Sequence, residues 1–267
     1  MTATALEIRG LRKSFGTTPV LRDVDLSLAR GARHALIGPN GAGKTALFKL
    51  ITGLFQPSAG TLRLDGQDVT QLSWTERKRC GVTRSFRLSP LARQLTVLDN
   101  LRLATGGDAA ACPCAAPAAA AERQWRGEAF EQLEALVLGS DTRRPVQDLP
   151  ASRQRLVEIA IALAQRPKLL LLDEPTDGVP SSELDVILDV ISRLDRDMTV
   201  LIIEHNMDVV FGIADRVTVL VAGTVQIEGT REEIALRRLQ AESTFSRFSP
   251  AAVKAMDRII GQYLSAT

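Results

Sequence analysis

The chain has 267 residues, of which 45% are apolar, so it is long enough for one large domain or for a domain with a subdomain. Its formal net charge of +2 is close to neutral, which gives no electrostatic argument for nucleic acid as a partner. No apolar run reaches the length of a membrane span, and residues 1–10 lack the basic-then-apolar order of a secretory signal. These features predict a cytoplasmic protein.

Two segments of alternating apolar residues at the start of the chain predict β-strands over 6–11 and 20–28. The turn between them contains Phe15, one of few aromatic residues. An aromatic ring at this distance before a nucleotide-binding loop could stack on the face of adenine. The spacing is equally compatible with Phe15 as a core residue, so both interpretations stand.

A complete match to G-x-x-x-x-G-K-[ST], the pattern of a phosphate-binding loop, follows these strands. Its eight residues are Gly38, Pro39, Asn40, Gly41, Ala42, Gly43, Lys44 and Thr45. An apolar run over 34–37 precedes the loop and a helical pattern over 46–54 follows it, which is the context that the loop requires. We expect backbone N–H groups and Lys44 to bind nucleotide phosphates, and the Thr45 hydroxyl to ligate Mg²⁺.

The middle of the chain has mainly helical periodicity. Asp65 and Gly66 predict a hairpin turn, and Ser73 with Glu76 three residues later predicts the start of a short helix. Strong helical patterns over 122–138 and 152–165 then predict a helical block from about residue 88 to 166. Inside this block, residues 106–121 are rich in Ala, Pro and Gly with almost no charge, which predicts a mobile insert.

Polar side chains follow two apolar strands in the last third of the chain. The run 168–172 ends at Asp173 and Glu174, and the run 199–203 ends before His205. We expect the first strand to lie beside the strand that leads into the phosphate loop. From there Asp173 can hold Mg²⁺ through water, and Glu174 can accept a proton from the attacking water. His205 can reach a γ-phosphate oxygen, although its position alone would favour a structural histidine; His34, at a strand start, is interpreted as structural.

Together these motifs resemble the nucleotide-binding subunit of an ABC transporter, from about residue 5 to residue 235. Residues 38–45 resemble the Walker A loop, 169–174 the Walker B strand with its catalytic glutamate, and 203–205 the switch-histidine segment. Phe15 matches the position of the adenine-stacking aromatic residue. The segments 84–86, 95–101 and 204–210 look most like branched-chain amino-acid transporter ATPases, with urea-type importers as close neighbours.

The resemblance implies an α/β fold: a P-loop NTPase core with a mostly parallel sheet, an N-terminal antiparallel β subdomain and an inserted α-helical subdomain. It implies a nucleotide-binding domain over 1–240 and a C-terminal helical extension over 241–267. The activity would be ATP hydrolysis with Mg²⁺, catalysed by Glu174 and His205. The partners would be permease subunits at the inner face of the membrane, a second ATPase subunit that completes a head-to-tail dimer, and indirectly a solute-binding protein.

Three segments depart from the family pattern, and one of them, 177–180 after the Walker B strand, lacks the usual order of asparagine and proline. Arg87 stands where the family has a glutamine that contacts Mg²⁺ and the attacking water, and a permanent cation cannot ligate Mg²⁺. In the signature run, 149–154, Pro150 replaces the serine that contacts the γ-phosphate. Proline fits the first turn of a helix, and Ser152 could supply a hydroxyl from a shifted place.

These departures support an alternative function. The chain could be a degenerate regulatory or structural half of a heterodimer, which binds ATP with little turnover. Asp173, Glu174 and His205 instead favour an active transport ATPase. Because the catalytic carboxylate Glu174 is retained, we prefer the active enzyme. A GTPase is disfavoured because no Asn-Lys-x-Asp guanine motif occurs.

Overall fold

The structure is a computed structural model that describes residues 3–85, 91–105 and 119–234. Three predicted features lie outside these ranges: Arg87, residues 106–118 of the predicted insert, and the extension 241–267. The last three residues of the predicted insert, 119–121, belong to a helix, so its predicted boundary at residue 121 is wrong.

An antiparallel sheet forms the N-terminal subdomain. Its strands are β1 (Thr4–Phe15), β2 (Thr18–Ala29), β4 (Ala59–Leu64) and β5 (Gln67–Asp68), in the order β2-β1-β4-β5. Leu6 and Ile8 of β1 are buried while Arg9 is exposed, as the alternating sequence predicts. Asp65 and Gly66 both have positive φ and form the predicted two-residue hairpin turn between β4 and β5.

A second, six-stranded sheet forms the core of the α/β fold. Its strands are β3 (Arg33–Ile37), β6 (Val82–Ser85), β7 (Leu169–Asp173), β8 (Thr199–Ile203), β9 (Arg216–Val221) and β10 (Thr224–Thr230). Neighbouring strands are parallel except for the β9–β10 hairpin. Every residue of β3, β7 and β8 is buried, as expected for parallel strands covered on both faces.

The order of the strands in this sheet corrects one expectation. The order is β10-β9-β3-β8-β7-β6, so β8 lies between β3, which leads into the phosphate loop, and β7, which ends at Asp173. The strand order depends on where each crossover connection returns to the sheet. The hydrophobic periodicity of a single strand does not predict that position. Because the carboxyl ends of parallel strands share one edge of the sheet, Asp173 and the loop still lie at the same edge.

Seven α-helices are described within residues 3–85, 91–105 and 119–234. They are α1 (Lys44–Ile51), α2 (Trp74–Arg79), α3 (Val97–Thr105), α4 (Ala119–Ala135), α5 (Ala151–Leu163), α6 (Leu184–Arg193) and α7 (Met207–Ile213). The predicted capping box of α2 is present, with Ser73 and Glu76 each accepting a hydrogen bond from the backbone N–H of the other. No helix in the described ranges is long and apolar enough to cross a bilayer.

Among the described residues, three clusters of buried side chains hold the layers together, and two of them include residues of β7 and β8. Helix α1 lies between the two sheets, where Leu47 and Phe48 pack with Leu6 and Ile8 of β1. The helical block shares a second cluster with β7 and β8 that includes Leu133 of α4. The loop at the start of α1 is therefore fixed by the packing of both sheets.

His34 lies in the core of β3, as its structural interpretation requires. The imidazole is fully buried, and its Nε2 is 2.7 Å from the Thr218 hydroxyl of β9. Burial, with a smaller contribution from the nearby Arg216, lowers the pKa of His34 to about 4.

We expect His34 to make the fold sensitive to mild acid. The unfolded chain binds a proton near pH 6.5 and the folded chain only near pH 4, so the free energy of unfolding falls as pH drops through this window, by about 3 kcal/mol in total. Urea unfolding of wild type and His34→Gln from pH 4 to 7.5 measures the effect, and the difference between their pH slopes isolates His34. Equal slopes for wild type and His34→Gln would refute the expectation.

Candidate functional site

The phosphate loop begins where β3 ends and depends on glycine at two positions. Gly38 has a φ of 153°, and a Cβ there would lie 2.0 Å from the backbone oxygen of Leu220 on β9. Gly43 has a φ of 104°, and a Cβ there would lie 2.7 Å from Cδ2 of Leu21 on β2. A larger residue would therefore push the loop away from both sheets.

Lys44, the first residue of α1, lies under this loop. Its Nζ donates hydrogen bonds to the carbonyl oxygens of Gly38, at 2.6 Å, and Pro39, at 3.1 Å. Burial lowers the pKa of Lys44, and the nearby negative charges of Glu174 and Asp173 oppose that shift. The charges of both carboxylates at the end of β7 therefore act on the ammonium group of Lys44.

The carboxylate of Asp173 has a partner that the sequence analysis did not assign to the site. The guanidinium of Arg84, on the neighbouring strand β6, forms an ion pair with Asp173, and both side chains are only 7% exposed. An arginine inside a short predicted strand was the available signal, because a charge that such a strand buries requires a partner. Arg84 therefore belongs to the site.

Glu174, the residue directly after β7, has strained backbone geometry. Its φ is 48°, in the left-handed region that side-chain-bearing residues rarely adopt. Its N–H donates a 2.9 Å hydrogen bond to the carbonyl oxygen of Ile203, the last residue of β8. His205 follows β8, and its Nδ1 lies 3.9 Å from Oε1 of Glu174. The structure therefore brings together the two residues to which the sequence assigned the chemistry.

Glu204, between Ile203 and His205, is fully buried and was also missed as a site residue. Its Oε1 accepts hydrogen bonds from the N–H (3.2 Å) and the hydroxyl (2.5 Å) of Thr176. Its Oε2 accepts from the N–H groups of His205 (3.0 Å) and Asn206 (3.4 Å). A glutamate at the end of an apolar strand was its sequence signal.

Phe15 lies at the surface of the antiparallel sheet. Its ring is 45% exposed and packs edge-on against Phe55, with 5.2 Å between ring centroids. The ammonium group of Lys13 lies 5.1 Å from the centroid of the Phe15 ring. This exposure does not fit the interpretation of Phe15 as a core residue.

The signature run leads into α5 as the sequence predicts, with Pro150 as the residue before the helix. Ser152 is buried, so its hydroxyl does not face solvent, which disagrees with the expectation of a displaced phosphate contact. Its backbone N–H lies 3.3 Å from a carboxylate oxygen of Glu183. The carboxylate of Glu183 therefore accepts a hydrogen bond from one of the backbone N–H groups in the first turn of α5.

Comparisons with known proteins agree with this geometry. A family model described as ABC transporter matches residues 21–177. The chain is 34% identical over 241 residues to the high-affinity branched-chain amino acid transport ATP-binding protein BraF of Pseudomonas aeruginosa, covering 88% of this chain and 94% of the relative. It is also 34% identical over 246 residues to the corresponding protein LivG of Escherichia coli, with the same two coverages.

Solved structures show the same fold. The nucleotide-free structure of an ATP-binding cassette from an ABC transporter matches with a TM-score of 0.77 and 28% identity, covering 91% of this chain and 98% of that one. The ADP conformation of another such cassette matches with a TM-score of 0.77 and 30% identity, covering 90% and 96%. The likeness thus extends over nearly the whole length of each cassette.

Proposed function

The chain belongs to the ABC transporter family, and from this premise we propose that it hydrolyses ATP to power a permease that imports branched-chain amino acids or similar small polar solutes. It is an ATP-binding subunit of that family, and the ATP-binding domains of its homologues are ATPases. The observation that carries the proposal is the meeting of Lys44, Asp173, Glu174 and His205 at one edge of the sheet.

In this proposal residues 38–45 bind the phosphates of ATP. Lys44 exchanges the carbonyl oxygens of Gly38 and Pro39 for β- and γ-phosphate oxygens, which give its charge a stronger partner than two neutral carbonyls. Phe15 offers the exposed part of its ring to adenine. The chain thus binds both ends of the nucleotide.

The oxygen ligands of the site fit Mg²⁺. Thr45 is exposed at the first turn of α1, and Asp173 supplies a carboxylate in a position that already accepts the positive charge of Arg84. A hydroxyl and a carboxylate are the hard oxygen ligands that Mg²⁺ prefers. When bound, Mg²⁺ would offset the negative charge of the phosphates.

Glu174 and His205 perform the chemistry in this proposal. Glu174 accepts the proton of the attacking water as that water attacks the γ-phosphate. His205, whose side chain is 61% exposed beside Glu174, donates a hydrogen bond to a γ-phosphate oxygen and positions the water. The alternative of a regulatory subunit with little turnover is not favoured, because the relatives that match most of the chain are transport ATP-binding proteins.

The family also supports the proposed partners. ATP-binding subunits of ABC transporters work with transmembrane permease components. We assign residues 1–240 to the nucleotide-binding domain, with residues 88–166 as its helical subdomain, and 241–267 to an extension. A second ATPase subunit would complete the dimer at the inner face of the membrane, and a solute-binding protein would deliver the solute to the permease.

ATP hydrolysis by the purified full chain, alone and assembled with its permease and any second ATPase subunit in proteoliposomes, tests the proposal. We expect Mg²⁺-dependent hydrolysis that rises when leucine and its binding protein are added, together with leucine uptake. Hydrolysis without uptake of any branched-chain amino acid would contradict the proposed substrate. Nucleotide binding without hydrolysis in every assembly would refute the ATPase and support the regulatory alternative.

A further inference from the structure

The carboxylate of Glu204 joins the two segments that follow β7 and β8. The β7–β8 ladder ends at the pair Asp173 and Ile203. Beyond this pair, one segment continues through Glu174 to Thr176, and the other continues through Glu204 to His205. The hydrogen bond from Glu174 N–H to Ile203 and the four hydrogen bonds of Glu204 extend the contact between these segments past the end of the ladder.

The chemistry of this contact requires a carboxylate. All four partners donate: three are backbone N–H groups and one is the Thr176 hydroxyl. Each oxygen of a carboxylate only accepts, so Glu204 satisfies both segments. An amide in its place would satisfy one segment with its oxygen and direct its NH₂ group against donors of the other. His205 Nδ1 also lies 4.0 Å from Oε2 of Glu204, so the buried negative charge faces the side of the histidine.

We propose that Glu204 is a positioning residue for ATP hydrolysis, which fixes the turn that carries Glu174 relative to His205. The inference rests on the roles proposed above for Glu174 and His205. The strained φ of Glu174 makes an anchor on the following turn necessary, because nothing in the local preference of a glutamate maintains that conformation. The hydrogen bonds to Thr176, two residues later, supply this anchor, and the bond to the His205 N–H orients the second residue.

Kinetics of single variants test the inference. Glu204→Gln keeps the size of the side chain, and we expect it to lower kcat roughly 10- to 100-fold, since displacements near 1 Å can cost this much. The KM for ATP and the affinity for a fluorescent ATP analogue should stay within about twofold, because neither segment forms the phosphate loop. Thr176→Val, which removes only the hydroxyl, should lower kcat by less, and Thr176→Ser, which keeps it, should restore the wild-type value.

Matched controls separate this role from a general effect on the fold. Glu228→Gln makes the same chemical change at the partly exposed partner of Arg216 and should leave kcat unchanged. The double variant Glu204→Gln/Thr176→Val should be no slower than Glu204→Gln, because both changes break one contact. A wild-type kcat for Glu204→Gln, or a parallel loss of kcat and ATP affinity, would overturn the inference. If Glu174→Gln also retains wild-type turnover, the role proposed for Glu174 fails and with it the premise of this inference, whereas absence of hydrolysis by the wild type would contradict the proposed function itself.

Discussion

Replacing Glu174 with glutamine is expected to lower kcat for ATP hydrolysis roughly 100- to 10,000-fold, the range that a general base contributes. Glutamine has nearly the same shape but cannot accept the proton of the attacking water at neutral pH. ATP binding should persist, because the phosphate loop and Lys44 are unchanged. Steady-state hydrolysis and equilibrium binding of a fluorescent ATP analogue measure the two effects separately.

The control for this variant must remove a carboxylate without touching the site. Asp189→Asn, at an exposed ion pair on α6, should keep wild-type turnover. Turnover by Glu174→Gln within tenfold of wild type would mean that another group takes the proton. Loss of binding as well as turnover would show that Glu174 maintains the loop rather than the chemistry.

Replacing Arg84 with glutamine is expected to cost the fold about 3 kcal/mol of unfolding free energy. Arg84 pairs with Asp173, and both side chains are almost entirely buried. Removing one member of a buried pair leaves the other charge without its partner, and this accounts for the size of the effect. Lys44 lies close enough to compensate part of the negative charge, so the cost should fall at the lower end of the usual range. Urea unfolding at pH 7.5 measures it.

The same experiment includes its own comparisons. Arg193→Gln removes an exposed pair with Asp189 one helical turn away and should cost less than about 0.5 kcal/mol. The double variant Arg84→Met/Asp173→Leu removes both charges, and its stability should lie closer to wild type than that of Arg84→Gln. Equal stability of Arg84→Gln and wild type would show that the ion pair does not compensate a buried charge.

The buried ion pair and the buried Glu204 differ in what they require. The buried charge of Asp173 requires a positive charge beside it. Arg84 supplies this charge in the structure, and Mg²⁺ would supply it in the proposed complex. Glu204 instead accepts hydrogen bonds from neutral donors. Its role depends on having an acceptor oxygen toward each of the two segments, and not on its charge alone. Removing the charge of Arg84 on β6 should therefore mainly lower the free energy of unfolding. Replacing Glu204 should mainly lower kcat.

Local patterns in the sequence determined much of this protein. The phosphate loop, the buried strands, the capping box at Ser73 and the hairpin turn at Asp65 and Gly66 all lie where the sequence predicts them. Each depends on residues only a few positions apart: glycines for positive φ, a hydroxyl three residues before a carboxylate, or an uninterrupted apolar run. The resemblance to ABC transporter subunits rests on the same short motifs, and the family comparison confirms it.

Only the tertiary structure decided which distant residues meet. The sequence placed the strand of Asp173 beside β3, whereas β8 lies between them. Arg84 and Glu204 belong to segments that resemble motifs of the family, yet their partners Asp173 and Thr176 lie 89 and 28 positions away along the chain. The physical reason is that strand order and side-chain contacts depend on crossover connections and on packing between layers, while periodicity and motif spacing report only on neighbours in the chain.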